Sequence, residues 1–336
     1  MGNTSVNNSD KVVYLCDEIF DFATISGVFF ILIFIFSVAG NGLLLCVLLF
    51  YENLKNATNL FVLNLACSDL VFTVTLPFWA TQMLHHWVFG DICCKLMTAA
   101  YFVGLYSSII LLTAITLDRF ITVVLKYWPS NQVRRQRFAM VACAAAWVIS
   151  IAGSLSDAVK VKAEKHNIPV TCGPPSDDPD VKLGYYLQVS LLFFLPFFII
   201  VLCYSAILKT VLQSSNRKKH RTVVVVLCIV AAFFICWGPY NVMLFILPFY
   251  EHISCNAQER LMIAYHICQI LAFSHCCMNP LLYMLSQKLR EHLLHLFSCE
   301  KVRRKNSGRV TGQWTVIQRA TSVTQNSADM LELRSL

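Results

Sequence analysis

The 336-residue chain is poor in charge, since only 14% of its residues are Asp, Glu, Lys or Arg while 57% are hydrophobic. A soluble protein carries roughly a quarter charged residues, so this composition excludes an ordinary soluble domain. A nucleotide-binding loop, a metal-ligand cluster and a catalytic Ser/His/Asp arrangement are also missing from the sequence. We therefore expect no enzymatic activity, no metal centre and no cofactor.

What the chain has instead is seven long apolar blocks. Each is close to the ~20 residues that an α-helix needs to cross the hydrocarbon core of a bilayer. The blocks are Ala23 to Phe50, Leu60 to Leu84, Leu96 to Leu117, Phe138 to Ser156, Leu183 to Leu208, Thr222 to Tyr250 and Leu261 to Ser286. We predict an all-α membrane protein with a bundle of seven membrane-spanning helices over residues 23–286. Residues 1–22 are too polar, and the first block is too long, for a cleavable signal peptide.

Basic residues lie mainly on one side of this predicted bundle. With the N-terminus outside, the cytoplasmic loops and tail hold 19 Lys and Arg against five acids, and the outer segments hold seven against 12. Cytoplasmic loops are the basic ones in membrane proteins, so the N-terminal segment 1–22 is predicted to be extracellular. The net charge of +8 then reflects a basic inner face, and no nucleic-acid partner is expected. Asn3 and Asn7 begin glycosylation sequons in that outer segment.

Asp69 lies in the middle of the second block, in the stretch NLACSDLVF. An ionisable side chain inside a membrane is costly and marks a functional site by default. One interpretation is a carboxylate that is hydrogen-bonded between helices for packing. The other is a partly hydrated site for a cation such as sodium, completed by polar residues at comparable depth on other spans: Asn41, Ser108, His275 and Asn279.

Two further polar groups interrupt the apolar blocks. His275, Cys276 and Cys277 follow one another in LAFSHCCMNPLLYML, but they are a poor zinc site because successive helical residues point in different directions. Asp118 and Arg119 form a pair at the predicted cytoplasmic edge of the third block. A contact between them can break and be replaced by another, which suits a switch.

Short motifs follow one another along the seven blocks, one to each block: Asn41, NLACSDL, DRF, Trp147, Pro196 with Tyr204, CWGP and NPLLY. In this order they resemble the rhodopsin-like G-protein-coupled receptors over roughly residues 20–298. TLPFW and SHCCMNPLLY resemble chemokine receptors in particular, and ICQILAFSHCCMNPLLY resembles the XC-type branch of that family. The resemblance implies a plasma-membrane receptor that binds a basic chemokine, signals through heterotrimeric G proteins of the Gi class, and drives chemotaxis and calcium mobilisation.

Cysteines at four places fall on the predicted outer side: Cys16, Cys93 or Cys94, Cys172 and Cys255. The sequence by itself permits three pairings of four such cysteines. The resemblance to chemokine receptors implies two disulfides, Cys94–Cys172 and Cys16–Cys255.

The predicted ligand site has an acidic rim and an aromatic pocket. Tyr14, Asp17 and Glu18 belong to an acidic N-terminal stretch that would attract and steer a basic ligand. The resemblance implies that the pocket beneath it is lined by Trp79, Tyr101, Tyr240 and Gln269.

The resemblance assigns the G-protein switch to Asp118, Arg119, Tyr204, Trp237, Asn279 and Tyr283. Arg119 would be held by Asp118 at rest and would turn towards Tyr204 and Tyr283 on activation. Phe120 stands where the family usually has a Tyr. The basic third cytoplasmic loop would border the G-protein cavity and contact membrane lipids.

Beyond the seventh block, residues 287–298 alternate as a short amphipathic eighth helix would, and Cys299 is a predicted palmitoylation site. The tail 299–336 is predicted to be disordered, and its Ser and Thr residues suit receptor kinases and arrestin. Three alternatives stay open: a scavenging chemokine receptor without G-protein signalling, a receptor for another peptide, and a small transporter or channel. The last would show an inverted repeat between its halves, which we do not find.

Overall fold

The computed structural model describes residues 22–125, 132–164, 170–173, 193–212, 217–246 and 255–284. Helices occupy nearly all of these ranges: α1 (Phe22–Tyr51), α2 (Ala57–Thr73), α3 (Leu76–Leu84), α4 (Gly90–Val123), α5 (Gln132–Lys160), α6 (Leu195–Leu212), α7 (Arg217–Ile246), α8 (Cys255–Phe273) and α9 (His275–Met284). A short antiparallel hairpin, β1 (Lys162–Glu164) and β2 (Thr171–Gly173), follows α5 and places Ala163 opposite Cys172. The sequence patterns did not predict this hairpin.

The helices form the seven predicted spans. Six segments are long and apolar enough to cross a membrane, namely α1, α2 together with α3, α4, α5, part of α7, and α8 together with α9. The fifth span is α6, a shorter apolar helix, and residues 183–192 of the fifth predicted block lie outside the described part of the chain. The seven-helix prediction is therefore confirmed. The predicted segments 287–298 and 299–336 also lie outside the described residues.

Spans two and seven are each interrupted where one helix gives way to the next. In span two, Pro77 stands in the first turn of α3, where its missing N–H leaves no helical hydrogen bond to lose. The hydroxyl of Thr75 donates to the carbonyl oxygen of Phe72 at 2.7 Å, which satisfies one of the acceptors at the break. In span seven the break falls at Ser274, before the helix that contains Pro280. The positions of the prolines in the sequence therefore do not by themselves predict where the two spans are interrupted.

Spans two and three come unusually close at Gly104. A Cβ added at this glycine would lie 2.7 Å from the backbone nitrogen and 2.8 Å from the Cα of Phe72. Contacts this short are not found for real Cβ atoms, so only glycine permits the approach. The approach brings Ser68 of span two to the carbonyl oxygen of Gly104, to which its hydroxyl donates at 2.8 Å.

Aromatic rings from four spans meet at the centre of the bundle. Phe72 of span two is fully buried, and its ring centroid lies 4.9 to 6.1 Å from four other rings: Tyr101, Trp237, Phe273 and His275. This aromatic cluster joins spans two, three, six and seven. It separates an outer end of the bundle, where the hairpin lies, from an inner end, where Asp118 and Arg119 lie.

Candidate functional site

The outer end is held together by a disulfide and a hairpin. Cys94 of α4 is bonded to Cys172 of β2, with Cα atoms 5.6 Å apart, while Cys93 is a free cysteine. Gln82 of α3 fixes the same strand, because its side-chain oxygen accepts from the backbone N–H of Cys172 at 2.8 Å. The Cys94–Cys172 pairing implied by the resemblance is thus confirmed, whereas nothing in the sequence pattern singled out Gln82.

The predicted pocket residues beneath the hairpin contribute to a chain of contacting rings. The centroids of Trp79 and Tyr101 are 6.3 Å apart, and those of Trp237 and Tyr240 are 5.9 Å apart. The phenol oxygens of Tyr240 and Tyr265 lie 3.2 Å apart, so these two side chains share a hydrogen bond. Tyr265 belongs to span seven and was missed in the sequence, where it is one more aromatic in an apolar block.

Two of the predicted pocket residues carry a polar atom that is buried without a hydrogen bond among the described residues. They are the indole nitrogen of Trp79, a donor, and the side-chain oxygen of Gln269, an acceptor. A buried polar group that lacks a partner is costly, so such atoms are suited to a polar ligand. The other predicted ligand residues, Tyr14, Asp17 and Glu18, lie outside the described residues.

The remaining predictions for the outer side also fall on undescribed parts of the chain. Asn3, Asn7 and Cys16 precede the first described residue, and Cys255 is described only in its backbone at the start of α8. Glycosylation and the Cys16–Cys255 bond therefore stay predictions.

Asp69 forms the second cluster, in the middle of the bundle. Its side chain is fully buried. Asn279 donates to Oδ2 at 2.6 Å and Ser108 donates to Oδ1 at 3.3 Å, while Nε2 of His275 lies 3.9 Å from Oδ1. Spans two, three and seven thus converge on this carboxylate, as the matching depths of these residues predicted.

The partners of Asp69 are electrically neutral or weakly basic. His275 places its Nδ1 2.8 Å from the carbonyl oxygen of Ala272, which can only accept, so Nδ1 carries the hydrogen. In the neutral ring Nε2 then presents a lone pair towards the carboxylate. The carboxylate and the Ser108 hydroxyl are oxygen ligands of the kind that hard cations prefer. The residues present therefore fit a small cation such as sodium.

Asn41 does not join this cluster, although its depth suggested that it would. Its amide nitrogen donates to the carbonyl oxygens of Cys276 at 2.8 Å and of Ser37 at 3.1 Å. Asn41 therefore ties span one to span seven. The sequence predicted the depth of Asn41 in the bundle correctly, but it did not show which face of the helix carries the side chain.

The adjacent cysteines are not placed as metal ligands. The thiol of Cys276 points to the carbonyl oxygen of Phe273 at 3.1 Å, and that of Cys277 to the carbonyl oxygen of Ile33 at 3.4 Å. His275 points instead towards Asp69. Across the part of the chain that the structure describes, no group of three or more His, Cys, Asp or Glu side chains could hold a metal ion.

Asp118 forms the third cluster, at the inner end of span three. Only 3% of its side chain is accessible, and it receives two hydrogen bonds from one guanidinium. Arg135 of span four donates from Nε to Oδ1 at 2.7 Å and from Nη2 to Oδ2 at 2.6 Å. Such a bidentate, charge-assisted pair is among the stronger polar contacts in proteins.

Arg119 lies farther from the Asp118 carboxylate than Arg135 does. Its Nε lies 3.9 Å from Oδ2 of Asp118, and its Nη2 donates to the hydroxyl of Thr58 on span two. Asp118 thus forms an ion pair with Arg119, as the sequence predicted, and a second, shorter one with Arg135, which the sequence did not predict. Adjacent residues on a helix do not face one another, whereas Arg135 approaches from a neighbouring helix.

The structure places the other predicted switch residues at different depths. Tyr204 of span five is buried beside Thr116 and Arg119, while Trp237 of span six is buried in the aromatic cluster. Asn279 belongs to the Asp69 cluster. The side chain of Tyr283 lies outside the described residues, as does Cys299. The five switch residues whose side chains are described therefore lie in three different groups of contacts.

Seven spans, a disulfide over the outer end and a DRF motif at the inner end define a class of membrane receptor. Residues 40–283 match the family described as 7 transmembrane receptor (rhodopsin family). The chain therefore belongs to this family, and it is a multi-pass plasma-membrane protein and not an enzyme.

Two relatives narrow the assignment. The chain is 39% identical to Chemokine XC receptor 1 of Homo sapiens over 280 residues, which are 82% of each chain. It is 38% identical to Chemokine XC receptor 1 of Mus musculus over 304 residues, or 90% of this chain and 92% of the relative. Within the rhodopsin family the chain thus belongs to the chemokine receptors, which are G-protein-coupled.

Proposed function

We propose that this receptor binds a basic chemokine on its extracellular side and activates heterotrimeric G proteins of the Gi class on its cytoplasmic side. Activation would drive calcium mobilisation and chemotaxis. The names of its relatives support a chemokine of the XC type as the first ligand to test. The excess of Lys and Arg in the predicted cytoplasmic segments supports an extracellular N-terminus.

One observation carries the proposal: the two ends of the same helix hold two different kinds of site. On α4, Cys94 anchors the hairpin over the aromatic pocket, and Asp118 lies at the opposite end beside Arg119. At 1.5 Å per residue these positions are about 36 Å apart along the helix, which is enough to cross a bilayer. A ligand and a G protein would therefore engage opposite faces of one rigid element.

The outer site suits a ligand with a basic body and a polar, flexible end. The acidic stretch with Tyr14, Asp17 and Glu18 would steer the basic body. The buried Trp79 indole N–H and the Gln269 side-chain oxygen would then donate to and accept from the ligand end that enters the pocket. Cys16–Cys255 would hold the acidic stretch near the pocket.

The middle site would carry a regulatory sodium ion. Asp69 is fully buried and its hydrogen-bond donors are the neutral Asn279 and Ser108, so its negative charge is not balanced by a fixed cation of Lys or Arg type among the described residues. A sodium ion at this carboxylate would tie spans two, three and seven together. It would then oppose any agonist that requires these spans to separate.

The inner site would be the G-protein switch. The structure shows Arg119 bonded to Thr58 and close to Asp118, and we take this as the resting arrangement. On activation Arg119 would turn towards Tyr204 and Tyr283. The tail 299–336 would bind receptor kinases and arrestin, and palmitoylated Cys299 and the basic third loop would contact membrane lipids.

The test is a panel of chemokines on cells that express the receptor, with inhibition of cAMP and arrestin recruitment as the two readouts. Arg119→Ala should abolish agonist-driven cAMP inhibition while chemokine affinity stays close to that of the unmodified receptor. Arg137→Ala is the matched control, because this substitution also removes one positive charge and Arg137 is exposed at the start of span four. It should signal normally.

Two outcomes would overturn the proposal. If Arg119→Ala still inhibits cAMP strongly, coupling does not depend on this arginine. If the unmodified chain recruits arrestin and internalises chemokine but never inhibits cAMP, the scavenging receptor is the better description.

A further inference from the structure

The outer edge of β2 is held by span two and by the loop that follows it. Oε1 of Gln82 accepts from the backbone N–H of Cys172 at 2.8 Å, and Nε2 of Gln82 donates to the carbonyl oxygen of the same residue at 3.4 Å. Two residues earlier, the carbonyl oxygen of Val170 accepts from the backbone N–H of Trp87 at 2.8 Å. Alternate residues of a strand direct their backbone groups to the same edge, so β2 is bonded on this edge as it would be by a third strand.

The opposite edge of the hairpin is held by span three. Ala163 of β1 is the residue opposite Cys172, and its N–H donates to Oδ1 of Asp91 at 3.1 Å. Oδ2 of the same carboxylate is paired with Lys95, one turn further along α4, at 2.8 Å. The N–H groups of Ala163 and Cys172 thus point away from each other, as they do in a non-hydrogen-bonded pair of an antiparallel ladder, and each meets a side chain of a different span.

The disulfide by itself would leave the hairpin free to turn. Cys94–Cys172 is one covalent link, and the single bonds of the two side chains permit rotation of the strand about it. The hydrogen bonds of Gln82 and Asp91 lie on the two edges of the hairpin and fix the direction of its strands. Gln82 is half-buried whereas Asp91 is exposed, so water competes less for the hydrogen bonds of Gln82.

We infer that Gln82 is a positioning residue for ligand binding, because it fixes β2 to the helix that carries Trp79. Gln82 follows Trp79 by three residues on α3, and Trp79 packs against a buried cluster to which Cys94 and Cys172 belong. A shift of the hairpin relative to α3 would therefore change the surroundings of the Trp79 indole, to which the ligand end is proposed to bond. This role in binding rests on the proposed function, whereas the anchoring of the hairpin by Gln82 does not.

Gln82→Met tests the anchoring directly, because methionine has a similar shape but no amide with which to bond the backbone of Cys172. Hydrogen-exchange mass spectrometry of the ligand-free receptor in detergent should show the Cys172 amide exchanging about fivefold faster, as the loss of one hydrogen bond of ordinary strength implies. Gln82→Glu keeps an acceptor for this N–H and lacks the donor for the carbonyl oxygen, so its exchange rate should lie between the two.

Thr81→Val is the matched control for these variants. The Thr81 hydroxyl donates to the carbonyl oxygen of Pro77 within α3 at 2.8 Å, so this substitution removes a hydrogen bond of the same helix and leaves Gln82 in place. The Cys172 amide should exchange at the same rate in Thr81→Val as in the unmodified receptor.

The role in ligand binding is tested at equal surface expression with two probes: an XC-type chemokine and the same chemokine without its flexible end. The intact chemokine should dissociate about fivefold faster or more from Gln82→Met than from the unmodified receptor, in the range typical of coupling between sites. The shortened chemokine does not enter the pocket, so its dissociation rate should be the same for both receptors. A loss of receptor stability would not distinguish the two probes.

Three results would overturn the inference. The first is an unchanged exchange rate of the Cys172 amide in Gln82→Met. The second is an equal acceleration in Thr81→Val, which would mean that α3 as a whole has loosened. The third is an equal change in the dissociation of both probes from Gln82→Met. If the unmodified receptor binds no XC-type chemokine, the proposed ligand fails together with the binding role of Gln82, while the exchange rates still decide whether Gln82 anchors the hairpin.

Discussion

The chain buries two aspartates of spans two and three in contrasting surroundings. Asp69 is fully buried and receives its hydrogen bonds from an amide and a hydroxyl, with an imidazole 3.9 Å away. Asp118 is 3% accessible and faces two guanidinium groups, one of them bidentate. The same side chain is therefore stabilised by neutral dipoles in the middle of the membrane and by fixed cations at its edge.

The difference has a functional consequence. A buried carboxylate with neutral partners has no fixed positive charge beside it, so its charge is neutralised by a proton or by a mobile cation. A carboxylate that is already paired with a guanidinium has no such need, but its partner can be exchanged for another. Under the proposed function, Asp69 would bind and release a sodium ion, and Asp118 would belong to the G-protein switch.

Their positions in the bundle explain why each has the partners it has. Asp69 lies on span two three residues before Phe72, the residue that span three approaches closely at Gly104. Arg135 is nearer the surface, since 26% of its side chain is accessible while its guanidinium binds Asp118. Depth in the membrane therefore selects the chemistry of each cluster.

The largest effect is expected from Gly104→Ala, which would push spans two and three apart near Asp69. The new Cβ would lie 2.7 Å from the backbone of Phe72, which cannot move aside as a flexible side chain could. Overpacking of this kind costs about 1–3 kcal/mol or more. Surface expression and the Tm of the detergent-solubilised receptor should both fall clearly.

Gly42→Ala is the matched control for this substitution. A Cβ at Gly42 meets nothing within 4 Å, and Ala is the better helix former. Its Tm should equal or slightly exceed that of the unmodified receptor. Equal Tm values for the two variants would show that spans two and three are not in close contact at Gly104.

The second-largest effect is expected when the charge of Asp69 is removed. Asp69→Asn keeps the size of the side chain and an oxygen for Asn279, but it removes the negative charge. If the carboxylate binds sodium, the ion should reduce agonist affinity in the unmodified receptor by about fivefold or more, as coupled sites do, and should have no effect on the variant. Radioligand binding with and without sodium measures both.

Asp157→Asn supplies the control, because it makes the same exchange at another buried aspartate, which accepts from the Tyr106 hydroxyl at 2.9 Å. Sodium should still act on that variant. If sodium acts equally on the unmodified receptor and on Asp69→Asn, the Asp69 cluster serves packing and not ion binding.

The smallest effect is expected at Thr58, on the Asp118 side. Thr58→Val removes the hydroxyl that accepts from Arg119 and keeps the shape of the side chain. Because Thr58 is only partly buried, the loss should amount to one modest hydrogen bond, so basal cAMP inhibition should rise by less than about fivefold.

Thr113→Val controls for the loss of a threonine hydroxyl on the neighbouring span, since this hydroxyl donates to Ile109 within its own helix. Its basal signalling should match the unmodified receptor. A fall in basal signalling for Thr58→Val would mean that Thr58 supports the active arrangement of Arg119 and not the resting one.

Some of the site could be predicted because depth in a membrane is readable from a sequence. A helix advances 1.5 Å per residue, so Ser108, Asn279 and His275 were correctly placed at the level of Asp69. The cost of a charge in hydrocarbon makes polar groups at one level gather. Asn41 shows the limit, since it lies at a similar depth but bonds to Cys276 and Ser37.

The contacts that the sequence did not predict join residues from different elements. Arg135 is one of several basic residues near the second cytoplasmic loop, and nothing in its neighbourhood distinguishes it from Arg134 or Arg137. Gln82 is one polar residue in an apolar block, and only the hairpin above it gives it a partner. The local sequence does not show which of these residues has a partner, because the partner lies on another element and is brought near by packing.

The number and order of the spans followed from the sequence by itself, because a backbone in hydrocarbon must satisfy its own hydrogen bonds and a helix of about 20 apolar residues does so. The motifs on those spans then indicated the family. Which guanidinium pairs with Asp118 was decided only by tertiary structure, since it depends on how spans three and four are rotated against each other. Hydropathy is insensitive to that rotation, whereas the energy of a charge pair depends on distance. The two arginines lie 3.9 and 2.6 Å from the same oxygen of Asp118.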